Sequence, residues 1–380
     1  MVGSVVYHVR WHGACSLMFI PLRDFGTYGV ITDRQDESLP VGAWTDARNM
    51  RFSDGEVEKM LEPIVEESTA TIIGTPMWME QWTSGVTTFT AVATATSIWL
   101  LEATSDTQSE RREVGVGYQG GPWSSFEWGD TVIFHEPESP PQMYDYTTGR
   151  FVDLPEWGMI STANQISLRN EPVPELDTDA DEEAYYEALK PARDTNLRCK
   201  VLRPYKNFLV AVGVTEQGNY SPNGVWWSNT TPLATYKEGG PPNWDYEDPG
   251  SLSGKTEIGL GEGPLVAAEI LNENLICYTT SSASALTFTG GALVMSVRRL
   301  FQKGAAAQHC VAEFQNQHLV VSRETIYTHD GSTVSQLGKG VIEEAFYKRL
   351  GPGDYERIQV IKNPIRKEVS IVFDADGELV

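Results

Sequence analysis

Basic residues are scarce in this 380-residue chain: 29 Lys and Arg stand against 52 Asp and Glu, a formal net charge of −23. A protein that grips duplex DNA or RNA takes much of its affinity from neutralised phosphates and carries a basic face. Here the densest basic cluster is the pair Arg111-Arg112. General nucleic-acid binding is excluded, and so is attraction to an anionic membrane surface. Cysteine is sparse as well. Cys15, Cys199, Cys277 and Cys310 lie far apart, with no C-x-x-C pair to suggest a zinc or redox site. Each falls in or beside an apolar stretch and reads as a small buried hydrophobe. No segment reaches the ~20 apolar residues of a membrane helix. Residues 1–20 are broken by His8, Arg10, His12 and Gly13 and make a poor export signal. The reading is a soluble chain that needs no cofactor or metal and inserts in no membrane. Helical periodicity is also rare, confined to residues 181–189 and a short stretch near 342–349.

What the chain does have is strand signal. Hydrophobic residues make up 41%, enough for a sizeable core, and 34 Gly with 21 Pro supply many turns. Short alternating or β-branched runs recur at 87–94, 97–101, 131–134, 208–212, 275–278, 319–321 and 369–373, separated by Gly, Asn, Asp or Pro. A weak repeat links several of them. A tight turn leads into an apolar strand, and a second strand carrying an aromatic follows, then another turn. Asp130, Asn207, Asn274 and His318 hold matching places. The last interval suits one four-stranded propeller blade, and the longer ones a blade plus an insertion. The expectation is an all-β chain, a β-propeller with inserted platform-like loops and strands and a minor helix; any meandering β protein shares some of these features. Residues 1–60 are expected to pack on the propeller as an N-terminal segment, and 61–380 to form the propeller itself. Within it an acidic insertion is expected near 165–198, with eight acids and no Lys or Arg between 171 and 187. A long loop region is expected near 216–256, and an incomplete last blade is expected because the chain stops just after the strand at 369–373 and the turn at 374–377.

Motifs with chemical promise fail on inspection. Asp177-Thr178-Asp179-Ala180-Asp181 opens like a calcium loop, but Glu182 replaces the turn glycine and Ala188 the closing Glu. Ser253-Gly254-Lys255-Thr256 ends like a phosphate-binding loop, but Pro249 stands where its first Gly belongs. Ser53-Asp54-Gly55 lacks the aromatic that closes a sialidase-type box, and no carboxylate pair can be singled out for glycoside cleavage. The six histidines show no metal spacing, and there is no Gly-x-Ser-x-Gly elbow. The eleven tryptophans read as blade and loop packing, with sugar stacking as the other use.

Three stretches resemble the tail nozzle proteins of short-tailed bacteriophages, also described as packaged-DNA stabilisation or tail hub proteins. The first is Leu39-Pro40-Val41-Gly42-Ala43-Trp44-Thr45-Asp46-Ala47-Arg48-Asn49-Met50-Arg51-Phe52-Ser53-Asp54-Gly55-Glu56-Val57-Glu58-Lys59, the most distinctive. The second is Val225-Trp226-Trp227-Ser228-Asn229 with Pro242-Asn243-Trp244 and Ser253-Gly254-Lys255. The third is Arg323-Glu324-Thr325-Ile326-Tyr327-Thr328-His329-Asp330-Gly331-Ser332. On this resemblance Trp44, Asp46, Arg48, Asn49, Asp54, Gly55, Trp227, Ser228, Trp244, Tyr327, Asp330 and Gly331 are structural motif residues, with Trp44 and Phe52 anchoring the N-terminal region. The resemblance implies a non-enzymatic virion protein, assembled in the host cytoplasm. It implies a homo-oligomeric ring, usually of six copies, below the connector or adaptor ring, with tail fibre, needle or tip proteins beside or beneath it. Genomic DNA would pass through without specific binding, repelled by an acidic wall. A small basic ring from Arg298, Arg299 and Lys303, facing inward, is the competing expectation. A carbohydrate- or receptor-binding propeller is the alternative function, and a propeller glycosidase a further one.

Overall fold

The computed structural model describes residues 72–380 apart from 105–110, 161–191, 194–195, 231–242 and positions 249, 292, 339–341, 352, 364–366, 376–377 and 380. It also describes positions 28, 30–31, 38–40, 43–45, 47, 50–53 and 56–59. The chain divides into two compact units, Met1–Ser68 and Thr69–Val380. In the first, Met50–Ser53 pairs antiparallel with Glu56–Lys59, and Val30 bridges Trp44 in parallel. The Trp44 ring meets Phe52 edge-on, with centroids 6.0 Å apart.

The second unit is a β-propeller built of antiparallel meanders. Blade one holds Trp78–Ser84, Thr87–Ala93, Ser97–Ala103 and Arg112–Val116; blade two Ser124–Trp128, Thr131–His135, Gln142–Asp145 and Arg150–Asp153. Blade three holds Arg198–Tyr205, Phe208–Glu216, Asn219–Trp227 and Gly254–Glu257; blade four Leu265–Leu271, Asn274–Thr279, Ala283–Phe288 and Met295–Phe301. Blade five holds Val311–Phe314, Gln317–Val321, Ile326–His329 and Val334–Gln336. A sixth sheet has two strands, Gln359–Asn363 and Glu368–Val372. From blade one through to the sixth sheet, the first strand of each sheet touches the first strand of the next, so the first strands form the inner wall.

Local chemistry sets these hairpins. The two-residue loops between first and second strands begin at Gly85, Gly129, Lys206, Asn272 and Gln315, all with φ between 52° and 63°. Left-handed backbone at this position matches the twist of the paired strands and favours Gly and Asn, which hold three of the five places. A second device closes three of the turns between second and third strands. Ser97 N–H donates to Thr94 Oγ1 at 3.1 Å, Ser282 N–H to Thr279 Oγ1 at 2.8 Å, and Thr325 N–H to Ser322 Oγ at 3.0 Å. In each, the Thr94, Thr279 or Ser322 N–H returns a bond to the carbonyl three residues on.

The apolar runs are explained by position. Second strands flanked by a neighbouring blade on each side are covered on both faces, so they read as continuous hydrophobic stretches such as Phe208-Leu209-Val210-Ala211-Val212. Val210 and Val212 face blade four, while Leu209 and Ala211 face blade two. Hydrophobic cores fill the gaps between blades one and two, two and three, three and four, four and five, and between five and the sixth sheet. The gap from the sixth sheet back to blade one holds a concavity of about 630 Å³.

Two expectations are corrected. The region 216–256 is not one long loop: it contains the nine-residue strand Asn219–Trp227, whose last five residues are buried. Arg298 and Arg299 face solvent on the fourth, outermost strand of blade four, and Arg299 pairs with Glu262. They do not face the axis. Of the helical stretches, Ile342–Tyr347 is a helix, and 181–189 lies outside the described residues. The acidic stretch 171–187 lies outside them too; the segment that contains it is bracketed by a short ladder, Met159–Ile160 paired with Ala192–Arg193.

Candidate functional site

The motif residues do not converge. Trp227 ends the third strand of blade three, packs in the core shared with blade four, and donates from Nε1 to Leu252 O at 2.8 Å. Ser228 follows it. Its Oγ accepts the Leu209 N–H at 2.9 Å and donates to Asn229 O. Trp244 lies on the opposite side, in the core shared with blade two, edge-on to Trp157 with centroids 4.7 Å apart. Tyr327, in blade five, donates from its hydroxyl to the carbonyls of Lys303 and Gly304 at 3.2 and 3.1 Å. Asp330 closes the adjoining turn by accepting the Ser332 and Thr333 N–H groups at 2.8 and 2.7 Å, bonds that pull its carboxyl down to about 2. Gly331 has φ +93° in that turn, a conformation that favours glycine. Asp46, Arg48, Asn49, Asp54 and Gly55 lie outside the described residues. The described motif residues of the propeller are framework, spread over two blades and the loop after one of them.

Sequence reading missed a buried polar chain between blades four and five. Tyr278 Oη lies 2.6 Å from His318 Nδ1 and 2.5 Å from His329 Nε2. His318 Nε2 faces Ile270 O at 2.9 Å, and the Gly331 N–H faces His329 Nδ1 at 3.1 Å. A carbonyl only accepts and a backbone N–H only donates, so every proton is assigned. Gly331 donates to His329, His329 to Tyr278, Tyr278 to His318, and His318 to Ile270. Both rings are neutral. Burial drives the His329 pKa down to about 3 and also lowers that of His318.

His135 and Cys199 meet between blades two and three, with Nε2 and Sγ 3.3 Å apart, and His135 Nε2 donates to Cys199 O at 3.1 Å. The pair resembles a nucleophile and its base, but burial raises the Cys199 pKa and lowers that of His135 to about 3. The thiol stays protonated and the ring neutral, so no thiolate forms near neutral pH. Cys277 and Cys310 are likewise buried thiols pushed up to about 12. Lys255, from the phosphate-loop-like stretch, pairs with Glu216 at 3.3 Å and lies over the Tyr246 ring at 4.0 Å.

The inner wall is tied across blades. Trp78 Nε1 donates to Ser125 Oγ at 2.7 Å, and Ser125 Oγ donates to Glu80 at 2.5 Å. Arg203 pairs with Glu269 at 3.4 Å, and Lys362 with Glu313 at 2.9 Å. His309, which precedes blade five, stacks on Trp78 of blade one at 4.8 Å and bonds to the backbone of Trp123, at the entry to blade two. Its burial and the Arg203 charge lower its pKa to about 4. One side chain thus links three blades across the centre.

On one side of His309 lies the concavity at the sixth gap. It is lined mainly by apolar groups, among them Met77, Met79, Val92 and Ile361. Met79 is 66% exposed and Ile361 48%. Next to Gln308 is a smaller concavity of about 260 Å³. Gln308 is 7% exposed, and its Nε2 has no protein partner. Leaving such a buried donor unmatched costs about 1–3 kcal/mol.

No protein-family model matches the chain, and no curated protein matches it. Among solved structures it is similar to the CNH domain of AfRom2, with TM-score 0.30 and 10% identity over 72% of this chain and 69% of that one. It is also similar to a functionally unknown protein from Desulfotomaculum acetoxidans DSM 771, with TM-score 0.36 and 10% identity over 82% and 86%. A third is apo AztD from Citrobacter koseri, with TM-score 0.36 and 11% identity over 79% and 68%. Likeness of this order transfers nothing about function.

Proposed function

We propose that this protein is a structural virion component of a short-tailed bacteriophage, a nozzle subunit. Copies of it, six in this reading, form a ring that continues the DNA channel below the connector, helps retain the packaged genome and conducts it during ejection. The observation that carries the reading is the role of the residues behind the nozzle resemblance. Trp227, Ser228, Trp244, Tyr327 and Asp330 hold blades and turns together instead of lining a pocket. Residues kept for shape are what an assembly subunit requires. The charge of −23 supports the same reading, because acids on a lumen wall act together on a passing phosphate within a Debye length of about 8 Å. His309 joins three blades through its stack on Trp78 and its bond to the Trp123 backbone, and the DNA path in this reading runs between copies and not through one copy.

The test is the oligomeric state of the purified chain by light scattering, with electron microscopy of the particles and a fluorescence-anisotropy titration against duplex DNA at low salt. Rings with negligible DNA affinity are expected. A monomer that binds glycans favours the carbohydrate-binding alternative. Micromolar DNA affinity that weakens steeply with salt overturns the repulsive wall.

A further inference from the structure

Lys255 belongs to the phosphate-loop-like stretch, and the structure surrounds its ammonium with aromatic rings and a carboxylate. It lies on the fourth strand of blade three, directly opposite Trp226 on the third, so both side chains take the same face of the sheet. Its Nζ stands 5.2 Å from the centroid of the Trp226 ring and 4.0 Å from that of Tyr246. The third wall is Glu216, the last residue of the second strand, whose Oε2 accepts from Nζ at 3.3 Å. The walls fix one another. Tyr246 meets Trp226 edge-on, with centroids 5.2 Å apart, and donates from its hydroxyl to Glu216 Oε1 at 2.7 Å. Trp226 is 4% exposed and belongs to the core between blades two and three. Two rings and a carboxylate around one ammonium make a cation cage anchored in the core of the propeller.

The present occupant is weakly held. The side chain of Lys255 is 43% exposed, and an exposed ion pair of this kind contributes little. A primary ammonium is also strongly hydrated, so it surrenders water reluctantly to aromatic walls. A second observation supplies room for a guest. A concavity of about 190 Å³ borders the cage and shares Glu216 and Trp226 with it. Buried Val214 and half-exposed Tyr220 add to its apolar lining. A cation that carries methyl groups in place of N–H bonds is less hydrated than an amine, fills such a space, and gains more from the rings.

We propose that the cage and its concavity bind a quaternary ammonium group, with Lys255 as the built-in occupant that the guest displaces. The guest's charge takes the place of Nζ beside Glu216 Oε2, its methyl groups lie against Trp226 and Tyr220, and the Lys255 ammonium turns out to solvent. Glu216 sets the sign of the guest: a neutral molecule leaves the carboxylate without its counter-charge, and an anion is repelled by it. Lys255, which by sequence ends a phosphate-binding loop, thus marks a site for a cation. The proposal does not depend on the nozzle reading, since it concerns one copy of the chain.

The experiment titrates the full-length protein with choline, and separately with 3,3-dimethylbutan-1-ol, which has the same shape without the charge, each followed by calorimetry. Saturable 1:1 binding of choline is expected, about tenfold or more tighter than the alcohol. Lys255→Ala removes the built-in occupant and keeps every wall, so it is expected to bind choline about tenfold more tightly than the parent. Glu216→Gln keeps the shape of its wall without the charge and is expected to weaken choline about tenfold. Sedimentation with phosphatidylcholine vesicles separates two sources of the group: co-sedimentation assigns it to a lipid headgroup, and choline binding without co-sedimentation to a free solute. Absence of saturation by choline in the parent overturns the proposal. So does equal affinity for the alcohol, or an affinity for choline that Lys255→Ala leaves unchanged. The comparison of choline with the alcohol uses the parent alone and decides the matter even where a variant fails to fold.

Discussion

The Tyr278 hydroxyl of blade four lies 2.6 Å from Nδ1 of His318 in blade five, and this bond places a polar seam inside an otherwise apolar interface. Its neighbours there are Val311, Val320 and Tyr327. In such surroundings a satisfied chain of hydrogen bonds fixes one register between blades, and a broken one is costly.

Replacing Tyr278 by Phe keeps the ring and removes the hydroxyl, leaving His318 Nδ1 without its donor and the His329 Nε2 proton without its acceptor. The expected loss is about 1–3 kcal/mol. For a domain of this size that is a fall in Tm of roughly 2–8 °C by calorimetry. An unchanged Tm shows that the network contributes nothing to stability.

Four histidines shape the acid response. The pKa is lowered to about 3 for His135 and His329 and to about 4 for His309, and lowered also for His318, with burial the first cause in each case. The unfolded chain takes up their protons near 6.5, whereas the folded chain refuses them until lower pH. Between about 6.5 and 4 the unfolded state therefore binds more protons, so stability rises with pH and falls on acidification. Asp330 acts in the same direction at lower pH: its folded pKa is depressed, and its contribution is lost as pH falls from about 4 towards about 2. Urea midpoints between pH 7.5 and 4.5 are expected to fall steadily, with a shallower slope in His329→Gln. A flat profile across that window removes the argument.

Much of this fold could be read from the sequence, and the misreadings have physical causes. The runs at 131–134, 208–212, 275–278 and 319–321 became second strands because each is covered on both faces, and that leaves a plain hydrophobic signal. The strand Asn219–Trp227 was hidden by Gly218, Pro222 and Gly224, which look like loop punctuation. Arg298 and Arg299 were misplaced because alternation tells which face a residue takes, not whether its strand is inner or outer. Blade one escaped the repeat because its turn is Gly85-Val86, without Asp or Asn. The Thr94-x-x-Ser97, Thr279-x-x-Ser282 and Ser322-x-x-Thr325 turns were a legible repeat that went unread. The concavity beside Gln308 was not legible at all: Glu138, Lys200, Gln308 and Glu356 have no shared spacing and line one space only once the blades are arranged in order.

The sixth gap should act as an assembly surface if copies form a ring. Met79 and Ile361 are exposed apolar groups on the first strands of blade one and the sixth sheet. Changing both to Asp places two charges on the concavity without touching the five filled cores. The expected result is an unchanged circular dichroism spectrum and a lower oligomeric mass by light scattering. An unaltered mass places the contact between copies elsewhere.

The tightest backbone approach gives the last prediction, at Gly304. The chain leaving blade four passes over the turn at Thr279-Thr280-Ser281, and Ala305 N–H donates to Thr279 O at 3.1 Å. A Cβ built on Gly304 would stand 2.1 Å from Thr279 O, 2.4 Å from Thr280 C and 2.5 Å from Ser281 N. All three are backbone atoms of a turn already fixed by the Thr279–Ser282 bonds, so none can swing aside as a side chain would. Displacement also disturbs the Gly304 carbonyl, which accepts from the Tyr327 hydroxyl. Overpacking of this kind costs about 1–3 kcal/mol or more. Gly291 is the matched control: no atom lies within 4 Å of its added Cβ, and its φ is outside the left-handed range. Gly304→Ala is therefore expected to lower the urea midpoint strongly or to prevent folding, while Gly291→Ala stays within about 0.5 kcal/mol of the parent. Equal midpoints for the two variants mean that the connection can lift off the turn, and the close approach is then not what joins blade four to blade five.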